Sequence, residues 1–209
     1  MILRASHNFF MYPFFKLYTL WKIRRNFHGV HIKGGYTEKD LPLLLVSNHI
    51  SWWDGFWAMY VNLKLFRRKF YFMMLEEQLR KHMFFNKAGG YSVRKGSRSL
   101  IDTLIYTASL LEDKSNLVLL FPQGEFSSLY EAEIRFEKGI EYILKKTSAK
   151  VQIIFMVNLI EYFSESKPGL FIYISEYQGQ DFDAVSLEAE YNRFYKRCIA
   201  ENMKLAAGR

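Results

Sequence analysis

The sequence predicts an α/β domain, and three observations support that reading. Short apolar runs of strand length recur at Leu43–Val46, Phe70–Leu75, Leu117–Phe121, Val151–Leu159 and Leu170–Ile174. Runs that are apolar at nearly every position suit strands buried on both faces. Helical-looking segments lie between them, at Phe56–Leu65, Glu76–Phe84 and Ser97–Leu111, as expected when strands and helices alternate around one sheet. No linker, repeat or low-complexity stretch divides the 209 residues, so one domain is expected. A chain of this size buries roughly 70% of its unfolded surface and needs no covalent staples.

Composition narrows the partners. The net charge of +8 is compatible with nucleic acid, anionic membrane or an acidic carrier protein. No nucleic-acid-binding signature and no zinc spacing is present. Aromatic residues reach 18%, which suits a large aromatic core, contact with lipid, or both. The basic residues sit beside apolar and aromatic runs, which favours a membrane surface over a duplex. The single cysteine, Cys198, excludes an internal disulfide. It falls in a helical-looking segment and reads as a packing residue. With no secretory signal pattern visible, a reducing cytosolic face is expected.

The N-terminal stretch to His28 is aromatic and basic, and Asp and Glu are absent from it. Lys16 and Lys22 interrupt its apolar residues, so no run reaches the ~18 expected of a spanning helix. It reads as a helix lying in a membrane interface, broken or kinked at Pro13. The plainer reading is an N-terminal helix packed on the domain.

Val30–Ile32, between glycines, is expected as a short strand before the polar turn Gly34–Asp40. The strand at Leu43–Val46 then leads into Ser47-Asn48-His49-Ile50-Ser51-Trp52-Trp53-Asp54-Gly55. Residues five apart share neither a helix face nor a strand face. His49 and Asp54 therefore meet only if the chain turns between them. A strand end, a turn and a helix start would bring them together, with Asp54 in the first helical turn. Asp54 would hold one imidazole nitrogen and leave the other as a base facing a hydroxyl. The bland alternative is a satisfied pair or a helix cap with no chemistry.

Further on, Arg67-Arg68-Lys69 reads as a solvated, membrane-near corner. Glu76–Phe84 is followed by a loop over Asn86–Gly90 and an edge strand at Tyr91–Val93 that delivers Arg94. Ser97 is the expected N-cap of the helix running to Leu111. Pro122 must end the strand Leu117–Phe121. A helix from Phe136 to about Lys146 and a final amphipathic helix over Leu187–Leu205 complete the chain.

Four of these stretches together resemble the glycerolipid acyltransferase family, which includes the bacterial lysophosphatidic acid acyltransferases. Asn48-His49, four residues and Asp54 resemble its first motif. Gly90-Tyr91-Ser92-Val93-Arg94 resembles the second. Phe121-Pro122-Gln123-Gly124-Glu125-Phe126-Ser127 resembles the third, which typically reads Phe-Pro-Glu-Gly-Thr-Arg-Ser. Phe136-Glu137-Lys138-Gly139 is a weaker fourth match. Within the third motif Phe121, Pro122, Gly124 and Ser127 agree. Gln123, Glu125 and Phe126 depart.

The resemblance implies a mixed, mostly parallel sheet surrounded by helices. Residues 1–28 would be an N-terminal amphipathic membrane-attachment helix, and residues 29–209 the acyltransferase domain. It implies acyl transfer from acyl-CoA or an acyl carrier protein to a lysolipid hydroxyl, with no metal and no other cofactor. His49 would be the general base and Asp54 its orienting partner. Arg94, Gln123, Gly124 and Glu125 would bind the acceptor, and Asn48, Ser51, Phe121 and Pro122 would support the motifs. Backbone N–H groups near Gly124 are candidates for the oxyanion.

The departures carry a further expectation. Gln123 keeps hydrogen-bonding capacity but loses charge, and Phe126 cannot bind phosphate. The acceptor is expected either to lack a terminal phosphate or to be held by Arg94 alone, so a lyso-aminolipid, glycolipid or other lipid alcohol stands beside lysophosphatidic acid. The partners implied are membrane lipids and the acyl donor, with no nucleic acid, at the cytoplasmic face of a membrane. Two rivals remain: an acyl-serine hydrolase using Ser51, though no Gly-x-Ser-x-Gly elbow is present, and a catalytically inactive membrane-binding protein that retains the fold.

Overall fold

The structure is a computed structural model that describes residues 2–207. Met1, Gly208 and Arg209, which end the two expected segments, lie outside the described residues. One seven-stranded sheet forms the centre, in the order β1-β7-β6-β2-β5-β3-β4. Its strands are β1 (Gly29–Gly35), β2 (Leu43–Ser47), β3 (Lys69–Leu75), β4 (Gly90–Val93), β5 (Asn116–Leu120), β6 (Gln152–Glu161) and β7 (Gly169–Glu176). Every neighbouring pair is parallel except β6 with β7. The sheet is mixed and mostly parallel, as expected.

The apolar runs are explained by the two layers of helix that cover the sheet. Along β2, Leu43 and Leu45 point to one face, and Leu44 and Val46 to the other. The first face is covered by α1 (Met11–Asn26), α2 (Asp54–Val61) and the short helices α3 (Glu76–Lys81) and α4 (Phe84–Lys87). The second is covered by α5 (Ser99–Leu110), α6 (Gly139–Lys146) and α7 (Ala184–Ala207). A strand between two helical layers has no solvent face, so it carries no polar alternation. Phe56 and Trp57 of α2 are buried in the first layer. Burying side chains of this size stabilises the fold by about 1.5–3 kcal/mol each. Cys198 is buried on α7, and burial pushes its thiol up to about 12, in keeping with a packing role.

Several local expectations are corrected. Pro13 neither breaks nor kinks α1. It occupies the first helical turn, where its missing N–H has no intrahelical acceptor to lose. Residues 2–8 are not helical and run alongside α4 and β4. Ser92 N–H donates to Leu3 O at 2.9 Å, and Leu3 N–H to Ser92 Oγ at 2.8 Å. The edge strand β4 is therefore covered. Gly89 enables this packing: at φ +108° a Cβ would lie 2.1 Å from Phe70 O and 2.8 Å from His7 Nε2.

Ser97 does not cap α5 through its side chain; its hydroxyl bonds Arg94 O and Ser99 Oγ instead. The helix expected over Glu76–Phe84 divides into α3 and α4, and α4 takes up part of the expected loop. α2 closes with a π-helical turn, Asn62–Phe66, where the side chain of Asn62 bonds both backbone groups of Arg68. The Arg67–Lys69 corner sits at the start of β3, at the opposite edge of the sheet from His49.

Candidate active site

The site lies where parallel strands β2 and β5 end side by side. Their helices leave in opposite directions, α2 onto the first face and α6 onto the second. The crevice that opens at such a divergence is where α/β sheets hold ligands. Asn48 fixes the chain as it leaves β2. Its Nδ2 donates to Asn158 O at 3.0 Å, and its Oδ1 accepts Asn158 N–H at 2.9 Å. The pairing with β6 thereby continues one residue beyond the strand before the backbone turns.

His49 and Asp54 meet across that turn. His49 Nδ1 lies 2.8 Å from Asp54 Oδ2. The same carboxylate oxygen accepts the N–H of Ile50 at 2.7 Å and of Ser51 at 2.9 Å. Asp54 is the first residue of α2 and is fully buried. Burial raises its carboxyl above the usual range, while the bonds from His49, Ser51 and Ile50 pull it down. The three N–H donors on one oxygen hold the imidazole in a fixed direction. Nε2 has no partner among the described residues, and the His49 side chain is 20% exposed. That nitrogen can take a proton from a hydroxyl placed in the crevice.

The third-motif loop packs directly on this histidine. Gln123 Oε1 accepts the backbone N–H of His49 at 2.8 Å, and Ser127 N–H donates to His49 O at 2.8 Å. Gln123 Nε2 reaches Ser127 Oγ, so both ends of the Gln123 amide are engaged inside the protein. Phe121 stacks on the imidazole with centroids 3.9 Å apart and planes 9° apart. Phe126 lies 4.1 Å away at 33°. Two phenyl rings at these distances cannot share one face of an imidazole, so they occupy both.

The remaining expected site residues are placed as follows. Pro122 ends β5, and its carbonyl accepts Glu137 N–H at 2.8 Å. Gly124 adopts φ +69°, and its N–H is taken by Phe121 O at 3.1 Å. Its own amide is therefore spent on the turn. The following amides, of Glu125 and Phe126, have no partner among the described residues. The Glu125 side chain is exposed. Arg94 follows β4 at the same edge of the sheet and pairs with Glu76 at 3.0 Å. Arg80 holds the same carboxylate at 2.9 Å, and the two arginines, Arg80 first, keep Glu76 below the usual range. Ser51 Oγ accepts Trp53 N–H at 3.2 Å, and no bond joins it to His49 among the described residues. An activated serine needs such a bond.

Sequence reasoning missed the contact of Phe126 with His49 and the partner residue Asn158. The only signal for the first was that Phe126 departs from the motif pattern. An aromatic band also runs from α1 into the motif loop. Tyr18 contacts Phe14, Trp21 and Phe56, and Phe56 contacts Trp52. Phe10, Phe14, Leu17 and Trp21 are exposed on α1 or beside it. No helix among the described residues is long and apolar enough to cross a membrane.

Comparison with known proteins identifies the family and the fold. Residues 29–157, more than half of the chain, match the acyltransferase family model. The crystal structure of the 1-acyl-sn-glycerophosphate (LPA) acyltransferase PlsC from Thermotoga maritima superposes with a TM-score of 0.59. The match has 17% sequence identity and covers 90% of this chain and 78% of that one. At that identity the likeness is one of fold. No curated protein matches the sequence.

Proposed function

This chain belongs to the acyltransferase family, and we propose that it moves a fatty acyl group from a thioester to the hydroxyl of a lysolipid, with His49 as the general base. The observation that carries this reading is the 2.8 Å bond from His49 Nδ1 to Asp54, which leaves Nε2 open at the carboxyl edge of the sheet. The acceptor O–H gives its proton to Nε2 as its oxygen attacks the thioester carbon. The C–S bond then breaks, and the leaving thiolate takes the proton back from Nε2. The products are an ester and a free thiol. Asp54 holds the Nδ1–H tautomer and stabilises the imidazolium between the two steps. The free amides of Glu125 and Phe126 are the donors available to the oxyanion.

The donor is acyl-CoA or an acyl carrier protein, and no other cofactor takes part. The acceptor side carries Arg94, already paired, and an apolar Phe126 beside the base. This combination supports a neutral or weakly anionic acceptor rather than one bearing a terminal phosphate. The protein works at the cytoplasmic face of a membrane as a peripheral or monotopic protein. The exposed aromatics of α1 enter the interface, and Lys16, Lys22, Arg24 and Arg25 meet anionic headgroups.

A matrix of donors and acceptors tests the reading. Acyl-CoA and acyl carrier protein are each offered with lysolipids that carry or lack phosphate, and thiol release is followed. Release that requires a phosphate-free acceptor supports the proposal. Release only with lysophosphatidic acid removes the acceptor assignment. Silence with every pair shifts weight to an inactive membrane-binding role.

A further inference from the structure

Phe126 is 58% exposed, yet its ring lies 4.1 Å from the imidazole of His49. A side chain so open to water gains little from burial, so core packing does not account for its place. The loop holds it there with two bonds to the backbone of a single residue. Gln123 Oε1 accepts His49 N–H, and Ser127 N–H donates to His49 O, each at 2.8 Å. Phe126 lies between these two anchors in the chain, so they hold its backbone beside His49. On the other face, Phe121 stacks at 3.9 Å.

A phenyl face carries the negative end of a quadrupole. It does little for a neutral imidazole and attracts an imidazolium. The contact therefore strengthens when His49 takes a proton, and interactions that strengthen toward the transition state are the ones that accelerate a reaction.

We propose that Phe126, together with Phe121, stabilises the imidazolium that His49 becomes when it takes the acceptor's proton, which makes Phe126 a positioning residue of the transfer. The proposal rests on His49 being the base. It adds no new step: the proton still passes from the acceptor oxygen to Nε2 and on to the departing thiolate.

The other charged and titratable groups at this edge of the sheet come from several elements. Asp54 bonds Nδ1, and Glu125 lies on the same loop as Phe126. Lys95 and Glu137 flank the turn at Gly124, Arg94 and Glu76 pair at the ends of β4 and β3, and the buried Tyr191 bonds Met156 O. Substituting Phe126 alters none of them, so a change in the titration of His49 reports the ring.

The test is a titration of the full-length protein with isotopically labelled histidine. The resonance of His49 is identified among the five histidines by its absence in His49→Gln. Phe126→Leu removes the aromatic face and keeps an apolar side chain. It is expected to lower the His49 midpoint by roughly half a pH unit, and Phe126→Trp is expected to restore or raise it. In kinetics, Phe126→Leu should lower kcat roughly two- to five-fold with the acceptor KM unchanged, and should move the acid limb of the pH profile down. An unchanged His49 midpoint in a folded Phe126→Leu protein overturns the proposal, as does a loss that lies in KM alone. If the wild type transfers no acyl group to any acceptor, the acyl-transfer reading fails, while the titration still decides what the ring does.

Discussion

The side-chain amide of Gln123 accepts the backbone N–H of His49 at 2.8 Å and donates through its other end to Ser127. This explains how a glutamine serves where the resembled motif has a glutamate: it ties the loop to the histidine. Gln123→Ala should leave the His49 N–H without an acceptor, costing about 1–3 kcal/mol, and loosen the loop that carries Phe126. A lower melting temperature and a roughly ten-fold lower kcat are expected. Gln123→Glu keeps the acceptor for His49 and should retain most activity. A Gln123→Ala enzyme with wild-type kcat would show that the tie has no catalytic consequence.

Asp54 gives a prediction with two signs. Burial raises its carboxyl, so the folded protein binds that proton more readily than the unfolded chain does. Its contribution to stability is fullest below the ordinary carboxylate range and is lost as pH rises through the raised value. Asp54→Asn removes that loss. The variant should melt at or above the wild-type temperature at pH 7, with the difference shrinking as pH is lowered through the raised value. Its activity should fall by about 10⁴-fold, because the imidazole loses its orienting anion. A large fall in melting temperature at pH 7 would contradict the burial argument.

Arg94 is already bonded to Glu76 at 3.0 Å, so an anionic acceptor must compete for it. Glu76→Gln should lower the KM for an anionic lysolipid, and Arg94→Ala should raise it roughly ten-fold. Neither change should matter for a neutral acceptor. Equal KM values across all three proteins would remove Arg94 from the acceptor site.

The outer surface of α1 predicts how the protein meets lipid. No Asp or Glu precedes Glu38 in the sequence, and Phe10, Phe14 and Leu17 are exposed. Full-length protein should sediment with anionic vesicles at low salt and be partly released at high salt. Replacing those three residues with serine should weaken binding without lowering the melting temperature. Equal binding by the variant would place the membrane contact elsewhere.

The parts of this architecture legible in the sequence are the ones set by local rules. β2 and β5 read as buried strands because helices cover both of their faces. The meeting of His49 and Asp54 follows from a spacing that closes only across a turn. The sheet order does not follow from such rules. Nor does the covering of β4 by Leu3, whose partner Ser92 is 89 positions away. Phe126 could be read only as a departure from a motif, because the residue it touches lies on another strand end. Pro13 misled because the rule against proline applies to helix interiors, and the first turn is exempt.

The central claim is that His49 is the base for transfer to a hydroxyl. The measurement that tests it most directly follows free thiol and new acyl ester together, in wild type and in His49→Ala, with the melting temperature as the control for folding. The account predicts that both products appear in equal amounts with wild type and that both rates fall by about 10²–10⁴-fold in the folded variant. A folded His49→Ala protein that forms thiol and ester at the wild-type rate would contradict it.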